Sequence, residues 1–229
     1  MKRVEDKYIL SDLDMMKLEK RVSSVLKLDT HSSDNGYKIS SIYFDDIYDS
    51  SYMDSLNGNP FRRKYRIRIY DDNLETIKLE VKEKEYNRAI KISSTITEEE
   101  LKCLLAGETI FEQGNLQDAR TLFNIAIKTK KLKPRINVTY ERHAYLYDAG
   151  NVRITFDRGI RSSKRLDLFG DSRLIFDYPE GNGSVLEVKY DECMPKFINQ
   201  LLEHEKMIQT SNSKYVTCRD IYRRAEICR

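Results

Sequence analysis

The chain has no tryptophan, and its 229 residues include only four prolines and nine glycines. So few breakers leave little room for a long flexible linker. Its four cysteines, Cys103, Cys193, Cys218 and Cys228, form no CxxC pair, and none lies beside a histidine at metal-ligand spacing. With no apolar h-region in MKRVEDKYIL, they are expected to be free thiols of a cytoplasmic protein. No apolar run approaches the roughly 20 residues that cross a bilayer as a helix. There is no GxxxxGK[ST] loop, no GxGxxG and no short repeat period. These absences exclude a disulfide scaffold, a helical membrane protein and a P-loop or Rossmann nucleotide site.

What the chain has is charge. Charged residues make up 34% of it, yet 40 Lys and Arg against 37 Asp and Glu leave a net charge of only +3. Function therefore has to be sought in how the bases cluster rather than in their sum.

Periodicity places the elements. Strands are expected at 4–10, 37–45, 61–72, 76–84, 89–95, 173–179 and 184–192, with a hairpin of two strands, 134–148 and 151–161, around Gly150-Asn151. Helices are expected at 11–29, with Leu13, Met16, Val22, Val25 and Leu26 on one face, and at 95–107, with a Thr97/Glu100 capping box and a Gly107 stop. Further helices fit 116–132, ended by Pro134, and 194–208, with Ile198, Leu201, Leu202 and Ile208 inward. A last short helix, capped by Ser213, fits the end of the chain. The stretch DDIYDSSYMDSLNGNP reads as polar turn. Strands joined by turns, without βαβ alternation, imply an α+β fold with a largely antiparallel sheet.

In FRRKYRIRIY, Arg62, Lys64, Arg66 and Arg68 alternate with Tyr65, Ile67 and Ile69. In TIKLEVKEK, Lys78, Glu80, Lys82 and Lys84 alternate with Ile77, Leu79 and Val81. The tetrapeptide LEVK recurs at 186–189, where Glu187 and Lys189 share a face. A wet sheet face explains any one of these strands, and the Glu98–Glu100 and Lys130–Lys131 runs are ordinary solvated helix ends. Taken together, the strands carry Arg and Lys where a solvated sheet mixes Thr, Ser, Gln, Lys and Glu. Cationic faces turned toward one another need an anion, and a carboxylate among phosphates is a usual way to hold Mg²⁺ or Mn²⁺.

Several segments carry a resemblance: EDKY at 5–8, SSIYFDD at 40–46, RRKYRIRIY at 62–70, LEVKEK at 79–84, YERHAY at 140–145, VRITFDRGIR at 152–161, VLEVKY at 185–190 and SKY at 213–215. In this order the chain resembles the VTC-type polyphosphate polymerase domain, a branch of the triphosphate tunnel metalloenzymes. The resemblance implies one domain over 1–229. Its fold would be an eight-stranded antiparallel β tunnel or barrel with helices packed outside. The implied activity is transfer of the γ-phosphate of ATP to a growing inorganic polyphosphate chain with Mn²⁺ or Mg²⁺. Carried over by position, the phosphate ligands would be Lys7, Arg66, Arg68, Lys82, Lys91, Arg142, Arg153, Lys189 and Lys214. Glu187 would be the principal metal ligand, with Glu5 and Glu80 in support, and the reaction would rest on Arg66, Arg68, Lys82, Lys189 and Glu187. ATP or another triphosphate and polyphosphate are the implied partners, with a membrane protein as a further partner for handling product and no nucleic acid.

The first strand reads Arg3-Val-Glu5-Asp-Lys7 rather than ExExK, which takes weight from the cyclase and thiamine triphosphatase branches of the superfamily. Arg142 shares strand parity with Tyr140 and Val138, so it lies on the polar face only if a bulge intervenes; otherwise it is not a tunnel residue. Arg88 competes with Lys91 for one position. Two other functions fit the same residues: a tunnel-fold triphosphatase, in which water replaces the chain end, and a module that binds polyphosphate or another polyanion without turnover.

Overall fold

The computed structural model describes residues 3–30, 32, 35–86, 88–171, 173–177, 184–203, 207–210 and 213–227. In chain order its elements are β1 (Arg3–Ile9), α1 (Asp12–Ser23), β2 (Lys27–Leu28), β3 (Tyr37–Asp45), α2 (Ser50–Leu56), β4 (Phe61–Tyr70), β5 (Asn73–Glu85) and β6 (Arg88–Ile96). There follow α3 (Glu98–Ala106), α4 (Ala119–Lys130), β7 (Lys133–Tyr147), β8 (Val152–Ser163), a 3-10 turn (Leu166–Leu168), β9 (Val185–Asp191), α5 (Lys196–Leu202), β10 (Ile208–Gln209) and α6 (Lys214–Ile227). Among the described residues, ten strands in an antiparallel sheet and six helices make the fold α+β, as the turn-linked strands imply.

Two compact units divide the chain. The first comprises Met1–Lys38, Tyr140–Arg161 and Tyr178–Asn212; the second comprises Ile39–Thr139, Ser162–Asp177 and Ser213–Arg229. Strands β3, β7 and β8 contribute residues to both.

In the first unit the strand order is β10-β1-β9-β8-β7, with β2 added on β7. Register places Glu5 opposite Lys189, Lys7 opposite Glu187, Arg153 opposite Lys189 and Thr155 opposite Glu187. The alternate residues Ile154, Phe156, Leu186 and Val188 bury against Met15, Leu18 and Val22 of α1 and Ile198 and Leu202 of α5. The inward face of α1 is thus Met15, Leu18, Glu19 and Val22, while Leu13 (62% exposed), Met16 (59%) and Val25 point outward. The helix offers apolar residues at two phases, and only the packing partner chooses between them.

In the second unit the order is β7-β3-β4-β5-β6. The apolar alternates Tyr65, Ile67, Ile69, Ile77, Leu79 and Val81 pack against Leu101 and Leu104 of α3 and Leu122, Phe123 and Ala126 of α4. Phe123 receives the rings of Phe44 and Tyr65 edge-on. The Thr97/Glu100 capping box forms, and Gly107 ends α3 in the left-handed conformation. The other face of these strands is left to the charged alternates.

Several expectations are corrected. Helix α4 stops at Lys130, with Lys131 left-handed, before Pro134 can act. Helix α5 ends at Leu202, and Ile208 lies exposed on β10. Of the expected strand 173–179, the described part makes one isolated bridge, Ser162 to Asp177. The turn-like stretch after β3 contains helix α2, because Asp45 and Asp46 at the end of β3 supply its caps. Asp45 accepts the Ser51 and Tyr52 backbone N–H groups at 2.8 and 3.0 Å, and Asp46 accepts those of Tyr48 and Ser50 at 2.9 and 3.0 Å.

Candidate functional site

The polar face of β4, β5 and β6 is built by register alone. Four cross-strand rows stand side by side: Arg62–Lys84–Ala89, Lys64–Lys82–Lys91, Arg66–Glu80–Ser93 and Arg68–Lys78–Thr95. They present eight basic residues and one carboxylate, Glu80. The second row sets three lysines directly opposite one another, an arrangement that destabilises a sheet unless an anion offsets it.

Glu80 sits at the centre, 1% exposed. Arg66 Nε donates to its Oε2 at 2.6 Å, Lys91 Nζ to its Oε1 at 3.1 Å, and Arg68 Nη1 lies 3.9 Å away. Burial alone would raise its pKa; Arg66, Arg68 and Lys91 outweigh burial and bring it down to about 2. On the flanking strand, Ser41 accepts from Arg68 Nε at 3.1 Å and Tyr43 from Arg66 Nη1 at 3.3 Å. Burial would raise the Tyr43 phenol, but the charges of Arg66, Arg68 and Lys214 together lower it. Lys64 Nζ donates to Ser213 at 2.7 Å. Lys214 opens α6, where a cation opposes the helix dipole.

The polar face of the first unit has a different balance. Lys7, Lys189, Arg153 and Arg142 stand among Glu5, Glu187, Asp157 and Asp29. Lys189 Nζ lies 2.6 Å from Glu187 Oε1 and 3.7 Å from Glu5 Oε2, so two carboxylates converge on one cation. Lys7 is 2.9 Å from the other oxygen of Glu5. Arg153 is held by Asp29 at 2.8 Å and by the Tyr37 hydroxyl at 3.3 Å.

Arg142 does lie on this polar face, and Tyr140 lies there with it, its ring centroid 5.4 Å from the guanidinium. Two guanidinium nitrogens bond both oxygens of the buried Asp157, at 2.6 and 2.7 Å. Burial works against the Arg142 charge, yet Asp157 raises its pKa further above the arginine range. Removing Asp157 strands that cation. Asp157→Ala is expected to cost about 3–5 kcal/mol in urea unfolding, whereas the paired change Arg142→Met with Asp157→Leu recovers most of it.

The Glu5/Glu187 pair fits a hard divalent cation, which takes one or two carboxylates and completes its shell with phosphate oxygens and water. Glu80 belongs to the second unit, and its contacts with Arg66, Arg68 and Lys91 make it a counter-charge. Among the described residues, no group of three or more His, Cys, Asp or Glu side chains could hold a metal ion by itself. Thus Arg66, Arg68, Lys82 and Lys91, with Lys214, are assembled in one unit, and Lys7, Arg142, Arg153, Lys189, Glu5 and Glu187 in the other. The Arg88 side chain, the alternative to Lys91, lies outside the described residues.

Lys64, Tyr43 and Asp157 are not among the ligands the resemblance carries over. Alternation puts Lys64 on the polar face, whereas Asp157 becomes visible only through its partner across the hairpin. His143 contacts Glu19, which also takes Arg158 at 2.5 Å and the Tyr145 hydroxyl at 3.1 Å. This ionic cluster ties α1 to its unit.

A family model described as VTC domain matches residues 2–222. The chain belongs to the VTC domain family. This family is a branch of the triphosphate tunnel superfamily, whose members are typically enzymes that act on triphosphates and generally use divalent metal ions. No curated protein matches the VTC chain. Among solved structures it is similar to a protein from Pyrococcus horikoshii OT3, at 16% identity and TM-score 0.50, over 96% of this chain and 99% of that one. It is also similar to a putative adenylate cyclase from Bacillus halodurans, at 15% identity and TM-score 0.49, over 99% and 92% of the two chains. The Pyrococcus likeness supports the fold, and neither likeness carries an activity to this VTC chain. Among the described residues, no helix is long and apolar enough to cross a membrane.

Proposed function

We propose that the protein is a polyphosphate polymerase that transfers the γ-phosphate of ATP to the end of an inorganic polyphosphate chain, with its whole length acting as one domain. The observation that carries this reading is the Lys64–Lys82–Lys91 row beside Arg66 and Arg68, in a chain of the VTC family. Phosphoryl transfer asks mainly for positioning and charge neutralisation. A terminal phosphate oxygen of the acceptor forms the new P–O bond, the bond between the β- and γ-phosphates breaks, and ADP leaves with the electron pair. The acceptor oxygen is already ionised, so no Ser-His pair is needed.

In this reading Arg66, Arg68, Lys82, Lys91 and Lys214 bind and orient phosphate groups, and Lys7, Lys189, Arg142 and Arg153 extend the set. Glu187, with Glu5, holds Mn²⁺ or Mg²⁺. When bound, that ion offsets charge on the phosphate oxygens. Glu80 holds Arg66 in place. Transport of the product would fall to a membrane-protein partner.

Purified protein incubated with ATP and Mn²⁺ and followed by ³¹P NMR tests the reading. A growing internal-phosphate signal is the expected result. Orthophosphate alone would assign the site to a triphosphatase, and bound but unchanged ATP would assign it to a polyanion-binding module.

A further inference from the structure

Two of the short segments named above, SSIYFDD and SKY, meet in the second unit. Tyr215 of α6 stacks on Tyr43 of β3, with ring centroids 5.0 Å apart and planes 20° from parallel. Its hydroxyl donates to the buried Asp45 at 2.8 Å. Tyr43 in turn accepts from Arg66 Nη1. An unbroken chain of contacts therefore runs from Asp45 through Tyr215 and Tyr43 to Arg66 and Glu80.

The same side of α6 is held again further along. Residues 215, 219 and 223 recur every fourth position, which puts them on one stripe. Arg219 bonds both oxygens of Asp49 at 3.0 Å, and Arg223 bonds it at 2.7 Å. The Arg223 guanidinium also lies 4.7 Å over the Tyr52 ring, and the Tyr52 hydroxyl donates to Asp220 at 2.5 Å. Asp49 itself sits at a left-handed φ of 55°, a costly conformation for a residue other than glycine. This anchorage bears on the basic face because the helix start it fixes carries Ser213, bonded to Lys64, and Lys214.

We propose that Tyr215 and Asp49 are positioning residues for anion binding. They fix α6 so that Lys214 faces the ligand held by Arg66 and the lysine row, and they touch no ligand themselves. A cation at a helix start opposes the helix dipole, so the place of Lys214 at the basic face depends on how α6 is held. The inference rests on the phosphate-binding reading of that face.

The test uses the full chain, tripolyphosphate as probe and calorimetric Kd as readout, with thermal melting alongside. Tyr215→Phe deletes only the hydroxyl that reaches Asp45, and Asp49→Asn weakens the contacts from Arg219 and Arg223, and the longer one from Arg135 at 3.7 Å. Each is expected to weaken binding about 3- to 10-fold, with the loss shrinking to less than about twofold when Lys214 is already alanine, because coupled residues are not additive. Asp49→Glu is expected to restore most of the affinity. Equal losses in both backgrounds would overturn the proposal, as would no loss from either variant in the native background. If the unaltered chain itself fails to bind tripolyphosphate, the phosphate reading falls first and the proposal falls with it.

Discussion

Replacing Glu187 with alanine is expected to cut product formation about a hundredfold or more, the scale of removing one preorganised electrostatic contact to the transition state. Metal-free binding of tripolyphosphate should survive the change. Glu187 is only 7% exposed, and its oxygen lies 2.6 Å from Lys189 Nζ. In the metal-free protein its negative charge therefore works against an incoming anion at the same place where it would hold a cation. Removing it takes one charge from a face on which four acids offset four bases, so metal-free affinity should hold or rise slightly. Turnover, which needs the ion, should collapse.

The measurement is a pair: calorimetric Kd for tripolyphosphate with chelator present, and ³¹P NMR product formation with ATP and Mn²⁺. Loss of both together would mean that Glu187 is structural, and unchanged turnover would remove it from the metal site. The second copy of the motif behaves differently. Glu80 is surrounded by Arg66, Arg68 and Lys91, so the two LEVK tetrapeptides share a face pattern without sharing a surrounding.

That difference shows what the sequence can and cannot convey. Alternation alone gives the faces of β4 and β5, since a period of two admits one solution once Ile67 and Leu79 go to the core. It also yields the lysine row, given the register. Helix α1 was not legible in the same way: Leu13 and Met16 compete with Met15 and Leu18 for the inward phase, and the choice belongs to Phe156, Leu186 and Ile198 across the interface. Helix α2 hid because its caps come from the preceding strand, so DSSYMDSL by itself reads as turn. At the site, the bases were legible and their partners were not. Asp157 and Asp29 lie 15 and 124 residues from the arginines they hold, and no local spacing announces such pairs. The ambiguity of Arg142 has the same source. Parity with Val138 reads Tyr140 as core-facing, whereas it lines the polar side under the guanidinium.

Glu80→Gln is expected to lower stability by about 3 kcal/mol at pH 7, and the deficit should vanish in acid. The folded carboxyl titrates at about 2 against an ordinary value of 4.5. Two and a half pKa units correspond to about 3 kcal/mol of preference for the ionised form in the folded state. Because the folded pKa is the lower one, this contribution is complete above about pH 5, starts to fade below 4.5 and is gone once the pH has fallen through about 2. Other carboxylates titrate in both proteins, so the difference between native and Glu80→Gln unfolding free energies isolates this group. Urea titrations at pH 7, 5, 4, 3 and 2 should show a constant gap down to pH 5 and a closing gap below it. A gap that stays constant to pH 2 would mean that Glu80 is held by shape and hydrogen bonding rather than by its charge. A further consequence separates the counter-charge role from a metal role. With the one carboxylate gone from a face of eight bases, tripolyphosphate should raise the melting temperature of Glu80→Gln more than that of the native chain, with chelator present throughout.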